Sequence, residues 1–158
     1  MDIPQTLIDE AVSDEVRLGD VYKIELSKAD GIIPKNGYDT RDKFFVVLGF
    51  DEQGNVYGGI LFNSKINQNL PTLIKDYHMP ISAKAYPFLL HDSFLNCTKI
   101  FSVTSTHLWK GEKLGTINTD DFDLIRSTVC SYPNAIPLEL KRFGLIWFKY
   151  LKVDLIKK

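Results

Sequence analysis

One stretch, residues 41–67, carries the strongest folding signal in this sequence. Two apolar runs rich in β-branched and aromatic residues, Phe44 to Phe50 and Val56 to Phe62, flank a polar segment that contains Gly54. Runs of this kind, separated by a short polar segment with a glycine, are typical of a β-hairpin. We therefore predict two antiparallel strands here, and we take the rest of the chain to be built around them.

The open end of this hairpin gathers polar side chains. Arg41 and Lys43 lie at the start of the first strand, and Asn63, Ser64 and Lys65 follow the second. Because antiparallel pairing brings these two ends together, a guanidinium, ammonium groups, a hydroxyl and a carboxamide share one edge of a rigid scaffold. Binding sites are commonly built on such edges, so we expect one here.

Length and composition fit one globular domain over residues 1–158. The chain is 44% hydrophobic and 25% charged, which is enough to bury one core. A formal net charge of −1 provides no overall basic field, so binding of nucleic acid requires a local patch. Cys97 and Cys130 lack the spacing of a metal site, and we predict neither a metal nor a cofactor. Without a basic leader or a long apolar run, we expect a cytoplasmic protein with no membrane association.

The first forty residues predict a helix, a strand and a loop. Apolar residues recur at helical spacing over residues 4–17, which predicts an N-terminal amphipathic helix. Residues 20–26 alternate between apolar and polar types and predict a first strand. Turn formers crowd residues 27–40, so this segment is a predicted loop and a candidate lid beside the hairpin.

The second half of the chain predicts further strands followed by helices. Strands are expected over residues 79–83, 86–90 and 94–103, and five or six short strands suit a small barrel or a strongly bent sheet. Residues 68–77 are consistent with a loop or a short helical turn. Two late helices are predicted, one capped by Asn118 or Thr119 and one that begins near Pro137 and ends at Gly144. The apolar segment 145–156 is consistent with a strand or a helix.

Several short segments recur in the order and spacing of a known family: Gly19–Tyr22, Arg41, Phe44–Leu48, Gly58–Ser64, Leu89–Ser93 and Lys113–Gly115. In these segments, over roughly residues 18–132, the chain resembles the PemK/MazF family of toxins from bacterial toxin–antitoxin systems. The resemblance implies a mainly β, α+β fold. Its centre is a small SH3-like barrel of five to six antiparallel strands, with an N-terminal helix and two C-terminal helices. Residues 1–17 and 133–158 are then helical or irregular extensions of the barrel.

The resemblance also implies a homodimer, a cognate antitoxin as partner, and a metal-independent endoribonuclease that cleaves single-stranded RNA. Such cleavage needs a base for the 2′-hydroxyl, an acid for the leaving oxygen and positive charge near the phosphate. The resemblance implies Arg41, Ser64 and Asp92 as catalytic residues. From the hairpin ends and the neighbouring His91, we predict Lys43, Asn63, Lys65 and His91 as substrate-binding residues. Asp92 or His91 supplies the base, and Tyr22, Tyr38 or Phe62 offers a face for a nucleobase.

Two departures from the family pattern keep other functions open. Asn63 replaces one hydroxyl of a usual pair, and Leu90 stands where the PemK branch has an arginine. A non-catalytic relative that binds RNA or a protein partner is the main alternative, and an interaction domain that assembles through residues 145–156 is another. Individual residues also have structural interpretations, because Ser64 and Asp92 are suited to turns.

Overall fold

The computed structural model describes residues 3–35 and 37–145, and its fold is α+β. The strands of this part are β1 (Asp20–Ser27), β2 (Thr40–Phe50), β3 (Val56–Asn63), β4 (His78–Ile81), β5 (Ser93–Asn96), β6 (Phe101–Thr104) and β7 (Glu112–Thr116). The helices are α1 (Gln5–Glu15), α2 (Thr72–Asp76), α3 (Ser105–Lys110), α4 (Thr119–Ser131) and α5 (Pro137–Arg142), with one 3-10 turn at Lys28–Asp30. None of the helices in the described ranges is long and apolar enough to cross a membrane.

The seven strands found in the described residues form one antiparallel sheet in the order β4-β5-β3-β2-β1-β7. β6 pairs with the first half of β3, and β5 pairs with its last two residues, so β3 carries two partners along one edge. Within the described ranges, β4 and β7 do not pair with each other, and the sheet is open. The predicted α+β fold with an antiparallel sheet is confirmed, whereas closure into a barrel is not observed there.

The hairpin of β2 and β3 forms as predicted. Phe45 pairs with Leu61, and the two strands run antiparallel to a turn in which Gly54 has a φ of 73°. Asp51 closes this turn because its Oδ1 accepts from the backbone N–H groups of Asn55 and Val56. One extra residue, Leu48, bulges between two paired positions of β2.

Both faces of the hairpin are buried, which explains its almost unbroken apolar runs. Val46 and Leu48 face a core completed by α4 and α5, whereas Phe45 and Val47 face a second core completed by α1 and α3. On the first side Phe143, at the end of α5, packs directly on two glycines. A Cβ atom would collide with the Phe143 carbonyl oxygen at Gly49 and with the Phe143 ring at Gly58. The end of α5 therefore covers one face of the hairpin next to its turn.

Several further predictions are confirmed. α1 and β1 form where the sequence patterns place them, and α2 supplies the short helical turn that was one of two options for residues 68–77. Asn118 caps α4, because its side chain accepts from the Asp121 backbone N–H at 2.8 Å. Pro137 begins α5, and Gly144 follows its end with a φ of 74°.

Other predictions are wrong or fall outside the described residues. Residues 86–90 form turns rather than a strand, and residues 94–103 contain two strands, because Asn96 accepts from the Thr98 backbone N–H and turns the chain. α3 and β7 were not predicted as elements. The predicted strand or helix over residues 145–156 lies outside the described residues from 146 onward.

Candidate functional site

A cleft of about 200 Å³ lies at the open end of the hairpin, against the turn segment that leads into β5. We call it the hairpin cleft. Five of the seven predicted site residues line it: Arg41, Lys43, Asn63, Ser64 and His91. The remaining lining residues are Asp42, Phe44, Phe62, Leu89, Leu90 and Ser93. The fold thus brings the β2 start, the β3 end and the His91 turn to one place.

The hairpin register places Lys43 beside Asn63. Phe45 pairs with Leu61 across the two strands, so the next positions on the same face are Lys43 and Asn63. The Lys43 ammonium donates a hydrogen bond of 2.8 Å to the Asn63 side-chain oxygen. The carboxamide that the sequence placed at the site therefore holds the lysine across the strand ends.

Lys43 is a partly buried cation in the hairpin cleft, and its pKa is lowered. Burial lowers the pKa of its ammonium to about 8, and the neighbouring charges of Arg41 and Lys35 act in the same direction. Within residues 3–35 and 37–145, no carboxylate comes within ion-pairing distance of Lys43 or Arg41. A cation without a matching anion, in a cleft, is a mark of functional sites.

Asp42 is the one carboxylate among the residues that line the hairpin cleft. Its Oδ2 lies 4.0 Å from the Lys23 ammonium on β1, and both side chains are exposed. Arg41 and Ser64 are also exposed, so water and ligands reach them. The balance of charge at the mouth is therefore positive.

His91 and Asp92 are adjacent in sequence but have different surroundings. His91 lines the hairpin cleft, and its Nδ1 lies 3.0 Å from the Asp92 backbone carbonyl oxygen. A carbonyl oxygen only accepts, so this contact requires the proton on Nδ1 and leaves Nε2 able to take a proton. The Asp92 carboxylate is not among the lining groups. It accepts from the Ala83 backbone N–H at 2.9 Å and thereby holds the turn.

Two other predicted contributors lie away from the cleft. Lys65 is exposed and is not one of the lining residues, although it follows Ser64 directly. Among the three candidate stacking residues, Phe62 lines the cleft but is only 5% exposed, Tyr22 is buried in the core beside α1 and α3, and Tyr38 is exposed. Phe62 belongs to an aromatic cluster with Phe44 and Phe88.

Sequence reasoning missed Ser93 and underestimated Lys43. Ser93 is buried, lines the hairpin cleft and donates through Oγ to the His91 carbonyl oxygen at 3.1 Å. Its position two residues after His91, at the start of a strand, was the available signal. For Lys43 the lowered pKa depends on burial and on Lys35, eight residues earlier, which no local pattern reports.

The arrangement supports anion binding and proton transfer. Arg41 and Lys43 supply positive charge, Ser64 supplies a hydroxyl, and His91 supplies an imidazole. In the described ranges, no three His, Cys, Asp or Glu side chains converge in a way that would hold a metal ion. Comparison of the sequence with protein-family models and with curated proteins found no match.

Proposed function

We propose that this protein is a toxin-like endoribonuclease that cleaves single-stranded RNA in the hairpin cleft without a metal. The observation that carries the proposal is Lys43, a partly buried ammonium with a pKa lowered to about 8 and no carboxylate partner among the described residues. An unmatched buried charge costs the folded protein free energy, which a bound anion returns. A phosphodiester is such an anion.

The lining groups supply the parts that metal-free RNA cleavage requires. In this proposal His91 Nε2 removes the proton from the 2′-hydroxyl, and the 2′-oxygen attacks phosphorus. The bond from phosphorus to the 5′-oxygen breaks, and Lys43 gives its proton to that oxygen. Arg41 stabilises the charge on the phosphorane, and Ser64 binds a phosphate or ribose oxygen. The products are a 2′,3′-cyclic phosphate and a 5′-hydroxyl. Asp92, predicted as catalytic, is a positioning residue here, because its carboxylate fixes the turn that holds His91.

The walls of the hairpin cleft suit unpaired nucleobases. Phe44, which is half-buried, lines it, and Leu90, which is 96% exposed, stands at its rim. Single-stranded binders combine such apolar faces with basic groups, because every base has a face that can stack. This combination favours single-stranded RNA over a small anion.

The wider context of the proposal follows from the resemblance to the PemK/MazF toxins. We propose that the antiparallel sheet belongs to an SH3-like barrel and that two copies of the chain associate. In this proposal, a cognate antitoxin inhibits the enzyme in the cytoplasm by covering the hairpin cleft. The positive mouth around Arg41 suits an acidic antitoxin segment.

A cleavage assay tests the proposal. The purified, folded chain is incubated with a pool of randomised single-stranded RNA in the presence of EDTA, and the new ends are characterised. We expect fragments with 2′,3′-cyclic phosphate and 5′-hydroxyl ends. Arg41→Gln should lose this cleavage, whereas Arg142→Gln, at an exposed position on α5, should retain it. RNA that stays intact with folded wild-type protein would overturn the proposal.

A second candidate, RNA binding without cleavage, is favoured by one observation. The Asp92 carboxylate is bonded to the Ala83 N–H and is not among the groups that line the cleft, which leaves His91 alone of the two predicted bases. A binding measurement on the same RNA pool separates the two functions. Retention of RNA without fragments supports the second candidate, whereas retention with the expected ends supports the first.

A further inference from the structure

We infer that the RNA site continues beyond Lys43 into a second cleft, where Lys99 binds the phosphate of a neighbouring nucleotide. This inference rests on the proposed function and deepens it. The second cleft has a volume of about 290 Å³ and lies between the loop after β1 and the segment from Asn96 to Phe101. We call it the flanking cleft. Neither Lys99 nor Asn96 is among the site residues predicted from the sequence.

The two clefts meet at the open end of the hairpin. Arg41, Lys43 and Asn63 line both of them, so the strand ends form a shared wall with one cleft on each side. A ligand confined to one cleft would use only part of this wall. An extended chain of nucleotides that crosses Lys43 would occupy both, which fits single-stranded RNA better than a mononucleotide.

Lys99 is already oriented in the flanking cleft. Its ammonium donates to the Gly31 carbonyl oxygen at 3.2 Å and lies 4.6 Å from the centroid of the Phe101 ring. Gly31 presents this carbonyl from a left-handed conformation with a φ of 96°. One of the three ammonium donors is used in this way, so the other two remain for a phosphate. Preorganised donors lose less entropy when a ligand binds.

The charge of Lys99 is only weakly opposed. Among the described residues it forms no ion pair within 4.0 Å, and Glu139 is the carboxyl group that its charge influences. Burial raises the pKa of Glu139, and the charges of Lys99 and Arg142 offset part of that effect. Lys99 and Glu139 also line a separate hollow next to α5. None of the described residues that line the flanking cleft carries a carboxylate.

The remaining walls suit a nucleobase. Ile33 is 84% exposed and stands with Ile32 and Phe101 around the cleft, which provides an apolar face. The Asn96 side-chain oxygen accepts from Thr98, through both the backbone N–H and the hydroxyl. The amide NH₂ of Asn96 is therefore oriented and can donate to a base edge. A cation, a carboxamide and an apolar face together recognise a nucleotide.

The test measures binding of an uncleavable, fluorescently labelled 2′-O-methyl RNA by anisotropy at several salt concentrations. For Lys99→Gln we expect affinity to fall by about tenfold or more, as for the loss of one charged hydrogen bond. The slope of log affinity against log salt should shrink by about 0.7, the value for one phosphate contact on a single strand. Lys110→Gln, at an exposed position on α3 and outside both clefts, should change neither quantity.

A second variant keeps the test decisive if Lys99→Gln lowers stability. Ile33→Asp puts a negative charge into the flanking cleft at an exposed position, and Leu138→Asp, at a position 77% exposed on α5, is its control. We expect Ile33→Asp to weaken binding and Leu138→Asp to leave it unchanged. If wild-type protein does not bind RNA, the proposed function itself fails. If wild type binds and Lys99→Gln and Ile33→Asp bind equally well with the same salt slope, only the flanking cleft is excluded.

Discussion

Asp20 on β1 and Lys43 on β2 are charged groups on neighbouring strands, and the fold treats them in opposite ways. The Asp20 carboxylate is buried and accepts from the Arg17 N–H at 2.8 Å and the Thr116 hydroxyl at 2.9 Å, and Lys113 lies 3.2 Å away. The Lys43 ammonium donates to the neutral side chain of Asn63 and has Arg41 and Lys35 as basic neighbours. Asp20, whose carboxylate is hydrogen-bonded and ion-paired within the protein, therefore has a structural role. Lys43, which has no carboxylate partner among the described residues, is instead suited to bind an anionic ligand.

The largest effect that we expect comes from breaking the satisfied charge. Asp20→Ala leaves the Arg17 N–H and the Thr116 hydroxyl without their acceptor and Lys113 without its anion. Because two part-buried donors lose their acceptor, we expect a cost of about 3 kcal/mol of unfolding free energy. Urea unfolding followed by circular dichroism measures it. Asp123→Ala removes the exposed carboxylate that pairs with the half-buried Arg126 and should cost about 1 kcal/mol. Equal costs for both variants would show that Asp20 is not structural.

Lys43, in contrast to Asp20, should contribute to activity and not to stability. Lys43→Met keeps the apolar stem and removes the ammonium, so we expect RNA cleavage to slow by about 100-fold, as for the loss of one transition-state donor. Single-turnover rates with saturating enzyme measure this. The matched variant Lys110→Met should cleave at the wild-type rate. A rate for Lys43→Met within a factor of about two of wild type would exclude Lys43 as the acid.

Lys43→Met should make the folded protein more stable, although it slows cleavage. Because Lys43 is partly buried beside Arg41 with no anion among the described residues, removing its charge relieves a cost of the free protein. We expect Lys43→Met to be between about 0 and 1 kcal/mol more stable than wild type. Urea unfolding at neutral pH provides the comparison. A loss above about 1 kcal/mol would place Lys43 with Asp20, among the charges that hold the fold.

The sequence predicts the elements whose signals are local. The hairpin follows from two apolar runs and one turn, and the α4 cap from Asn118 alone. Residues 86–90 have the apolar character of a strand but form turns. Their burial comes from distant partners, since Tyr86 donates to Asp121 and Phe88 packs against Phe44. Propensity cannot report such contacts.

The site residues also differ in whether the local sequence predicts their positions. Antiparallel pairing alone brings Arg41 and Lys43 to Ser64, and the structure places all three in one cleft. Which of two adjacent residues, His91 or Asp92, faces that cleft depends on the turn that Asp92 closes with Ala83. Recruitment of Lys99 depends on the approach of Gly31 from another part of the chain. Contacts across long sequence separations carry no local signature.

The smallest expected effect is a pH dependence of stability. It tests whether the lowered pKa of Lys43 is the source of its difference from Asp20. The folded pKa of Lys43, about 8, lies below its ordinary value of 10.5. Between these values the unfolded chain binds more protons than the folded one, so the lysine's contribution to stability rises with pH and is lost as pH falls toward 8. The advantage of Lys43→Met over wild type should therefore be largest below pH 8 and shrink as pH rises above it.

Urea unfolding of both proteins from about pH 7 to about pH 9.5 measures this difference. Burial raises the pKa values of Tyr22 and Cys97 to about 12, which costs stability at high pH. That cost is common to both proteins and cancels in the difference. RNA affinity of wild type should fall as pH crosses 8, because the ammonium that meets the phosphate loses its proton. A difference in stability that stays constant over the whole range would mean that Lys43 keeps its ordinary pKa. Its charge would then cost the folded protein no free energy that a bound phosphate could return.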